Sequence, residues 1–352
     1  MAKHGQKHLF GTSQCSARPA SLLSGSFDLA LVAPSWDRRS VCITQCEQLS
    51  IREAIVLLFS LRDESGFRDQ HEERIFQFLA EHSDSICRVI GDSVEVSPTW
   101  DDLWRRVRDA AKREGRALKI LVDLSACPRY YTIGTMAACI RLGIASTITF
   151  FYAEGIYAPQ EHALPSLDYP FSAGQWHSMP VPFLEGDYIP YKRRFVLVSV
   201  GFQGVKTHRA LIREDPDRVS ILFPKPGVEP SYEQEAEQRS APIMAEFKVG
   251  PDQVINAPAN DAIAVWKELA RVAPERPQSE NAIYLCCGTK PHSLGLAFRA
   301  LCLGYPTVMY NVPQKYGFVD VRPRGTYWTY TLTDLSAIPP FGADRRHGPS
   351  SA

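Results

Sequence analysis

The sequence predicts an α/β protein built from two tandem Rossmann-like halves, with mostly parallel sheets and short β appendages. Three observations lead there. Short β-branched runs alternate with helical stretches, as when parallel strands are joined by crossover helices. The runs are continuously apolar rather than alternating, which suits a sheet covered on both faces. The order of runs and turns also occurs twice along the 352 residues, a length that accommodates about two domains.

In the first half, residues 27–33 (FDLALVA) form the first strand and run into the polar turn SWDRRS. Residues 54–59 form the second strand. Residues 70–81 and 100–114 read as helices, the latter with Leu103, Val107 and Ala110 on one face. Residues 120–124 (ILVDL) enter the turn SACPR and a helix that stops near Gly143. Residues 147–152 (TITFFY) close the set. The second half repeats this order. Residues 195–200 (FVLVSV) precede GFQGVKTHR, and residues 219–223 make the next strand. Residues 232–247 and 261–272 are helical, and residues 283–286 run into CGTKPH and a helix ending near Gly304. Residues 307–310 (TVMY) come last. The spacing between matched markers changes only as much as indels in surface loops would produce. After each half comes a glycine-containing aromatic segment, FSAGQWHSMPVP at 171–182 and RGTYWTYTLTDL at 324–335. These predict one β appendage belonging to each half. The expected division is a flexible tail at 1–26, half one at 27–152, an appendage and linker at 153–194, half two at 195–310, and an appendage with a flexible tail at 311–352.

Composition narrows the function. Lys+Arg and Asp+Glu both number 39, so no global basic field argues for a nucleic-acid duplex as partner. The 45% hydrophobic content supplies sizeable cores. The apolar run at 54–59 is far too short to span a bilayer, and the first residues lack the apolar core of a secretory signal. Nine cysteines, an odd number without framework spacing, indicate reduced thiols and a cytoplasmic location. Cys42/Cys46 and the adjacent Cys286/Cys287 have no matching second pair, so no metal site is expected. The chain has no H-E-x-x-H, G-x-S-x-G, P-loop or G-x-G-x-x-G run, which disfavours the corresponding enzymes, and no cofactor is expected.

The strand-to-helix turns carry the candidate site, because ligands of open parallel sheets bind beyond the carboxyl ends of the strands. In NAIYLCCGTKPHSLGLAF, a strand ends at Cys286-Cys287 and Pro291 suits the first turn of the next helix. Free N–H groups at such a helix start attract an anion. Gly288 permits a tight turn and close approach, Thr289 offers a hydroxyl, and Lys290 offers a mobile positive charge. The competing reading is a Thr289 cap and a solvated Lys290. The equivalent turn in the first half, DLSACPR, carries Ser125 and Arg129. It adds Asp123, a candidate acceptor, general base or nucleophile that is otherwise a cap or a partner for Arg129. The first-strand turns supply Trp36, Asp37, Arg38 and Arg39 in one half, and Phe202, Gln203, Lys206, His208 and Arg209 in the other. Arg39 and Arg209 have the planar fork suited to phosphate, and Trp36 or Phe202 can stack on a base. His292 is either a proton carrier in the ligand set or a surface histidine.

The stretch CCGTKPHSLGLAF resembles the glycine-threonine-lysine turn of CRISPR-associated Rossmann-fold (CARF) sensor domains and their SAVED relatives. In those families a strand runs into such a turn and a helix, and the turn contacts a cyclic oligonucleotide. The resemblance covers about thirty residues and implies that Gly288, Thr289 and Lys290 contact phosphate or ribose. The first half departs from it, with DLSACPR in place of Gly-Thr-Lys. The expectation is therefore a nucleotide-binding, sensor-like protein of bacterial antiviral defence or signalling. It would bind a nucleotide or cyclic oligonucleotide and signal to a protein partner or effector subunit. The alternatives are a nucleotide-processing phosphodiesterase or glycosidase with Asp123 as catalytic group, and a non-catalytic assembly subunit of a defence complex.

Overall fold

The structure, a computed structural model, describes residues 10–15, 23–59, 66–92, 94–157, 171–272, 280–319 and 321–338. It is α/β throughout. The first half contributes β2 (Gly25–Val32), β3 (Leu49–Phe59), α1 (Phe67–His82), β4 (Ser83–Gly91), α2 (Val96–Glu114), β5 (Leu118–Asp123), α3 (Arg129–Arg141) and β6 (Ala145–Tyr157). After β7 (Ser172–Pro180), the second half contributes β8 (Arg193–Ser199), α4 (Gly204–Glu214), β9 (Arg218–Pro224), α5 (Pro230–Glu246) and β10 (Val254–Ala257). It continues with α6 (Ala262–Val272), β11 (Glu280–Cys286), α7 (Lys290–Leu303) and β12 (Thr307–Tyr316), and β13 (Val321–Leu332) follows.

With β1 (Phe10–Cys15) included, the strands form two sheets, one ordered β1-β13-β6-β5-β2-β3-β4 and the other β10-β9-β8-β11-β12-β7. Within β2–β6 the first strand lies centrally, flanked by the second and fourth, with the third and fifth outside them. The same holds for β8–β12, and all these pairs are parallel. The duplication read in the sequence is thus a duplication of topology.

The appendages depart from expectation. β7, which follows the first half, pairs antiparallel with β12 of the second half. β13, which follows the second half, pairs antiparallel with β6 of the first. Each half is therefore completed by a strand from beyond its own boundary. Both pairings cover a sheet edge that would otherwise present unpaired backbone groups. Residues 10–15, expected within a flexible tail, form β1 (Phe10–Cys15) against β13. The tail expected at the other end lies, from residue 339 onward, outside the described residues. Besides β1, two strands escaped the sequence reading. β4 is an edge strand of mixed polarity and β10 has only four residues, so neither makes a long apolar run.

The halves meet through α3 and α7, which pack against each other. Every residue of α7 from Pro291 to Leu301 is buried, as is α3 from Tyr130 onward. Both helices are covered on all sides and so lack an amphipathic face. Ile133, Met136, Leu294 and Phe298 belong to one continuous core that draws on both halves. This packing brings the turns at the start of α3 and α7 face to face.

Candidate functional site

A cavity of about 310 Å³ lies between the halves, at the carboxyl ends of both sheets. The first half lines it with the segment after β2, with Phe59 at the end of β3, with Pro128 and Arg129 after β5, and with Tyr152 and Tyr157 of β6. The second half contributes Gly201, Phe202 and Gln203 after β8, Ala259 after β10, the turn Cys286 to Lys290, and Tyr310, Asn311 and Tyr316 of β12. Parallel sheets place ligands at this position.

The two equivalent turns hold each other. Lys290 Nζ donates to the carbonyls of Ser125 at 2.8 Å and Cys127 at 2.9 Å. Arg129 Nη2 donates in the opposite sense, to the Gly288 carbonyl. Each half thus sends a cation into the other's turn, and both side chains also line the cavity. Arg129 Nε is buried with no hydrogen-bond partner among the described residues. Burial, together with the neighbouring charges of Arg39 and Arg129, pulls the Lys290 ammonium down to about 7. Arg39 is 6% exposed and forms a two-pronged ion pair with Asp37, Nη2 to Oδ2 at 2.6 Å and Nε to Oδ1 at 3.0 Å. Asp37 is the only carboxylate lining the cavity among the described residues.

The remaining expected residues divide. Gly288 lines the cavity, but its close approach is to the end of β8. A Cβ there would stand 2.8 Å from the Val200 carbonyl oxygen, and its N–H donates to Ser199 Oγ at 2.9 Å. Thr289 caps α7 by accepting from the His292 N–H at 3.2 Å, and its hydroxyl donates to the Ala259 carbonyl at 2.6 Å. With Pro291 lacking an N–H, and the Ser293 N–H bound to the Thr289 carbonyl, the helix start offers an anion fewer donors than the motif suggested. His292 is fully buried rather than on the surface. Its Nε2 lies 2.9 Å from the Pro258 carbonyl, and burial holds its pKa down near 4. Ser125 is buried, accepts from the Ala153 N–H at 3.0 Å, and does not line the cavity.

Asp123, the candidate catalytic group, is 1% exposed and also absent from the cavity wall. Its Oδ1 accepts from the Ser125 N–H at 2.8 Å, while Oδ2 is buried without a partner among the described residues. Burial raises its pKa to about 6, with the Ser125 hydrogen bonds pulling the other way. It does not pair with Arg129. Arg209 is exposed on α4 and does not line the cavity.

The sequence reading singled out Phe202 but missed much of the rest of the wall. Phe202 lines it in an aromatic cluster with Tyr157 and Tyr232. Tyr157–Phe202 centroids are 5.6 Å apart and Phe202–Tyr232 centroids 5.5 Å, all near-perpendicular. Arg68 of α1 lines it too. Tyr232 and Arg68 stand on helices, outside any turn motif, so no local signal marks them. Tyr152 and Tyr310 were visible only as matched strand ends.

Among the described residues no cluster of His, Cys, Asp or Glu is arranged to hold a metal, and no helix is long and apolar enough to cross a membrane. The eight cysteines with described side chains are all free. No family model matches the chain. No curated protein matches it. Among solved structures, the cytoplasmic domain of a prokaryotic cation chloride cotransporter aligns at 10% identity over 81% of this chain and 96% of that one, with a TM-score of 0.23. A putative universal stress protein from Pseudomonas aeruginosa UCBPP-PA14 aligns at 9% identity over 81% and 91%, also at 0.23. A functionally unknown protein from Pseudomonas aeruginosa PAO1 aligns at 9% identity over 80% and 92%, at 0.22. Likenesses this distant transfer no ligand or activity to this chain.

Proposed function

We propose that this chain is a nucleotide-binding, sensor-like protein that takes a phosphate-bearing ligand in the cavity between its halves. The observation that carries the reading is the convergence of Arg39, Arg129 and Lys290 on a single cavity at the strand ends, beside aromatic walls. Cations suit a phosphate, aromatic faces suit a base, and the position is the usual one for this sheet architecture. A ligand that engaged Arg129 or Lys290 would compete with the contacts that join the halves. That gives binding a route to a change in the whole molecule. A role in bacterial defence or signalling, a cytoplasmic location and a protein partner or effector belong to the same proposal. The defence or signalling role and the partner rest on the resemblance of the Gly288-Thr289-Lys290 turn to CARF and SAVED sensors, and the location rests on the cysteine pattern.

Catalysis through Asp123 has less support, because that carboxylate does not line the cavity. The test is to incubate the purified protein with a nucleotide library and analyse retained and released species by mass spectrometry. The proposal expects a ligand retained unaltered. A hydrolysed nucleotide in the released fraction would favour an enzyme, and no retained nucleotide would remove the reading.

A further inference from the structure

The sequence places basic residues after the first strand of each half, but only one set reaches the cavity. On the first-half side, Arg39 and Arg129 line it. The Lys290 ammonium, although it comes from the second half, is seated on the first-half carbonyls of Ser125 and Cys127. On the second-half side, Lys206 is bound to Ser172, His208 pairs with Glu246, and Arg209 is exposed. None of these three lines the cavity, and the segment that stands where Asp37 and Arg39 stand in the first half presents Gly201, Phe202 and Gln203. The fold is duplicated, yet the charge of its shared cavity is not.

The geometry points to a small, asymmetric nucleotide as the ligand, with one phosphate end held by Arg39, Arg129 and Lys290 and a base against Phe202 and Tyr232, and not to a two-fold symmetric one. This rests on the nucleotide reading proposed above and narrows it. The two poles are close together. The Arg39 guanidinium carbon lies 5.9 Å from the Tyr157 ring centroid, and that ring lies 5.6 Å from Phe202. Phe202 and Tyr232 meet at 77°, so they form a corner in which a planar base can stack on one ring and meet the edge of the other. The cavity volume of about 310 Å³ is at the small end for ligand sites, which run from about 300 to 1,000 Å³. A ligand with two equivalent phosphates would set one of them against neutral and aromatic groups, where the nearest cation on the second-half side, Lys206, stands behind the wall residue Ser172 rather than in the wall.

The test is calorimetric titration of the full chain with the four ribonucleoside 5′-monophosphates, their nucleosides, inorganic phosphate and cyclic dinucleotides with two-fold symmetry. One mononucleotide should bind per chain, at least about tenfold tighter than its nucleoside, than phosphate and than any cyclic dinucleotide. Phe202→Leu keeps apolar bulk and removes the ring. It should weaken the mononucleotide about tenfold, in line with the worth of one base–aromatic stack, and weaken phosphate less. A cyclic dinucleotide that binds tighter than every mononucleotide would overturn the asymmetry and leave nucleotide binding standing. An unchanged mononucleotide affinity in Phe202→Leu would overturn the base position. No binding by any nucleotide would remove this inference together with the reading beneath it.

Discussion

Lys290 serves two partners with one ammonium group. Its hydrogen bonds to the Ser125 and Cys127 carbonyls join the halves, and its place in the cavity wall puts it within reach of an anion. Asp37, Arg39, Arg129 and the buried Cys127 thiol surround it electrostatically. With a pKa near 7, it is mostly neutral at pH 8. A phosphate-bearing ligand favours the ammonium form, so binding at pH 8 should take up a proton, and affinity should fall as pH rises above about 7. Titration in buffers of different ionisation enthalpy measures that uptake, and it should vanish in Lys290→Met. Uptake that persists in the variant would assign the proton elsewhere. A mobile or solvated Lys290, as the sequence alone suggests, could be removed with little effect on stability. Buried carbonyls that lose their donor cost about 1–3 kcal/mol, so Lys290→Met should also lower stability by that order. Asp123 gives a second prediction. Its folded pKa, about 6, lies above the unfolded value of 3.8. The folded state therefore binds the extra proton between those values, and this group's contribution to stability declines as pH rises from about 4 to 6. Asp123→Asn removes that dependence. Relative to the wild type, the variant should gain stability between pH 4 and pH 7 in paired thermal melts, and a constant difference would show that Asp123 is not buried as a charge. At this scale the sequence showed which turns face the cavity, because Gly288, Lys290 and Arg129 sit at strand ends. It concealed which side chains point inward, because that depends on how the halves meet. Thus Arg39 and Arg209 looked alike, and only Arg39 reaches the cavity.

The exchange of β7 and β13 gives these two strands more weight than the word appendage suggests. Tyr330 and Leu332 of β13 are fully buried in the core, and Trp328 is 8% exposed. The Trp328 indole donates to Glu154 Oε1 at 2.6 Å, and Asn260 Nδ2 donates to the same oxygen. The Tyr330 hydroxyl donates to the Asn260 carbonyl at 2.6 Å. One carboxylate on β6 thereby ties the strand after the second half to the loop that precedes α6. Trp328→Phe keeps an aromatic ring but removes a donor from a carboxylate that is 3% exposed. It should cost about 1–3 kcal/mol, measured as a lower urea midpoint with an unchanged slope. A change below about 0.5 kcal/mol would mean that the Asn260 amide alone satisfies Glu154. Central elements were legible because burial on both faces writes continuous apolar runs, as in β2, β5, β8 and β11. The edge strands β4 and β10 were not, since one is mixed in polarity and the other is short. The expectation that each appendage serves its own half failed for a different reason. Period and composition identify a strand, but its partner is chosen by which sheet edge lies nearby in three dimensions.

At the scale of the whole molecule, these contacts decide whether the two halves are two folding units. Duplicated topology invites the view that they are independent, as tandem domains often are. The contacts argue otherwise. α3 and α7 are buried against each other and share one hydrophobic core. Each sheet is finished by a strand delivered from beyond the other half's boundary, and Lys290 and Arg129 cross between the turns in opposite directions. Unfolding either half alone would strip an edge strand from the surviving sheet, expose the apolar faces of α3 or α7, and leave buried carbonyls unpaired. Each of these losses is unfavourable, and together they leave no stable half-folded state. The full chain should therefore melt in one transition. Its calorimetric enthalpy should match the van't Hoff enthalpy, and near- and far-ultraviolet circular dichroism should report the same midpoint. A ligand in the shared cavity should raise that single midpoint without splitting it. Two resolved transitions, or a ligand-induced shift confined to one of them, would show that the exchanged strands and the crossed cations do not couple the halves. The cavity would then have no means of passing the presence of a ligand from one half to the other.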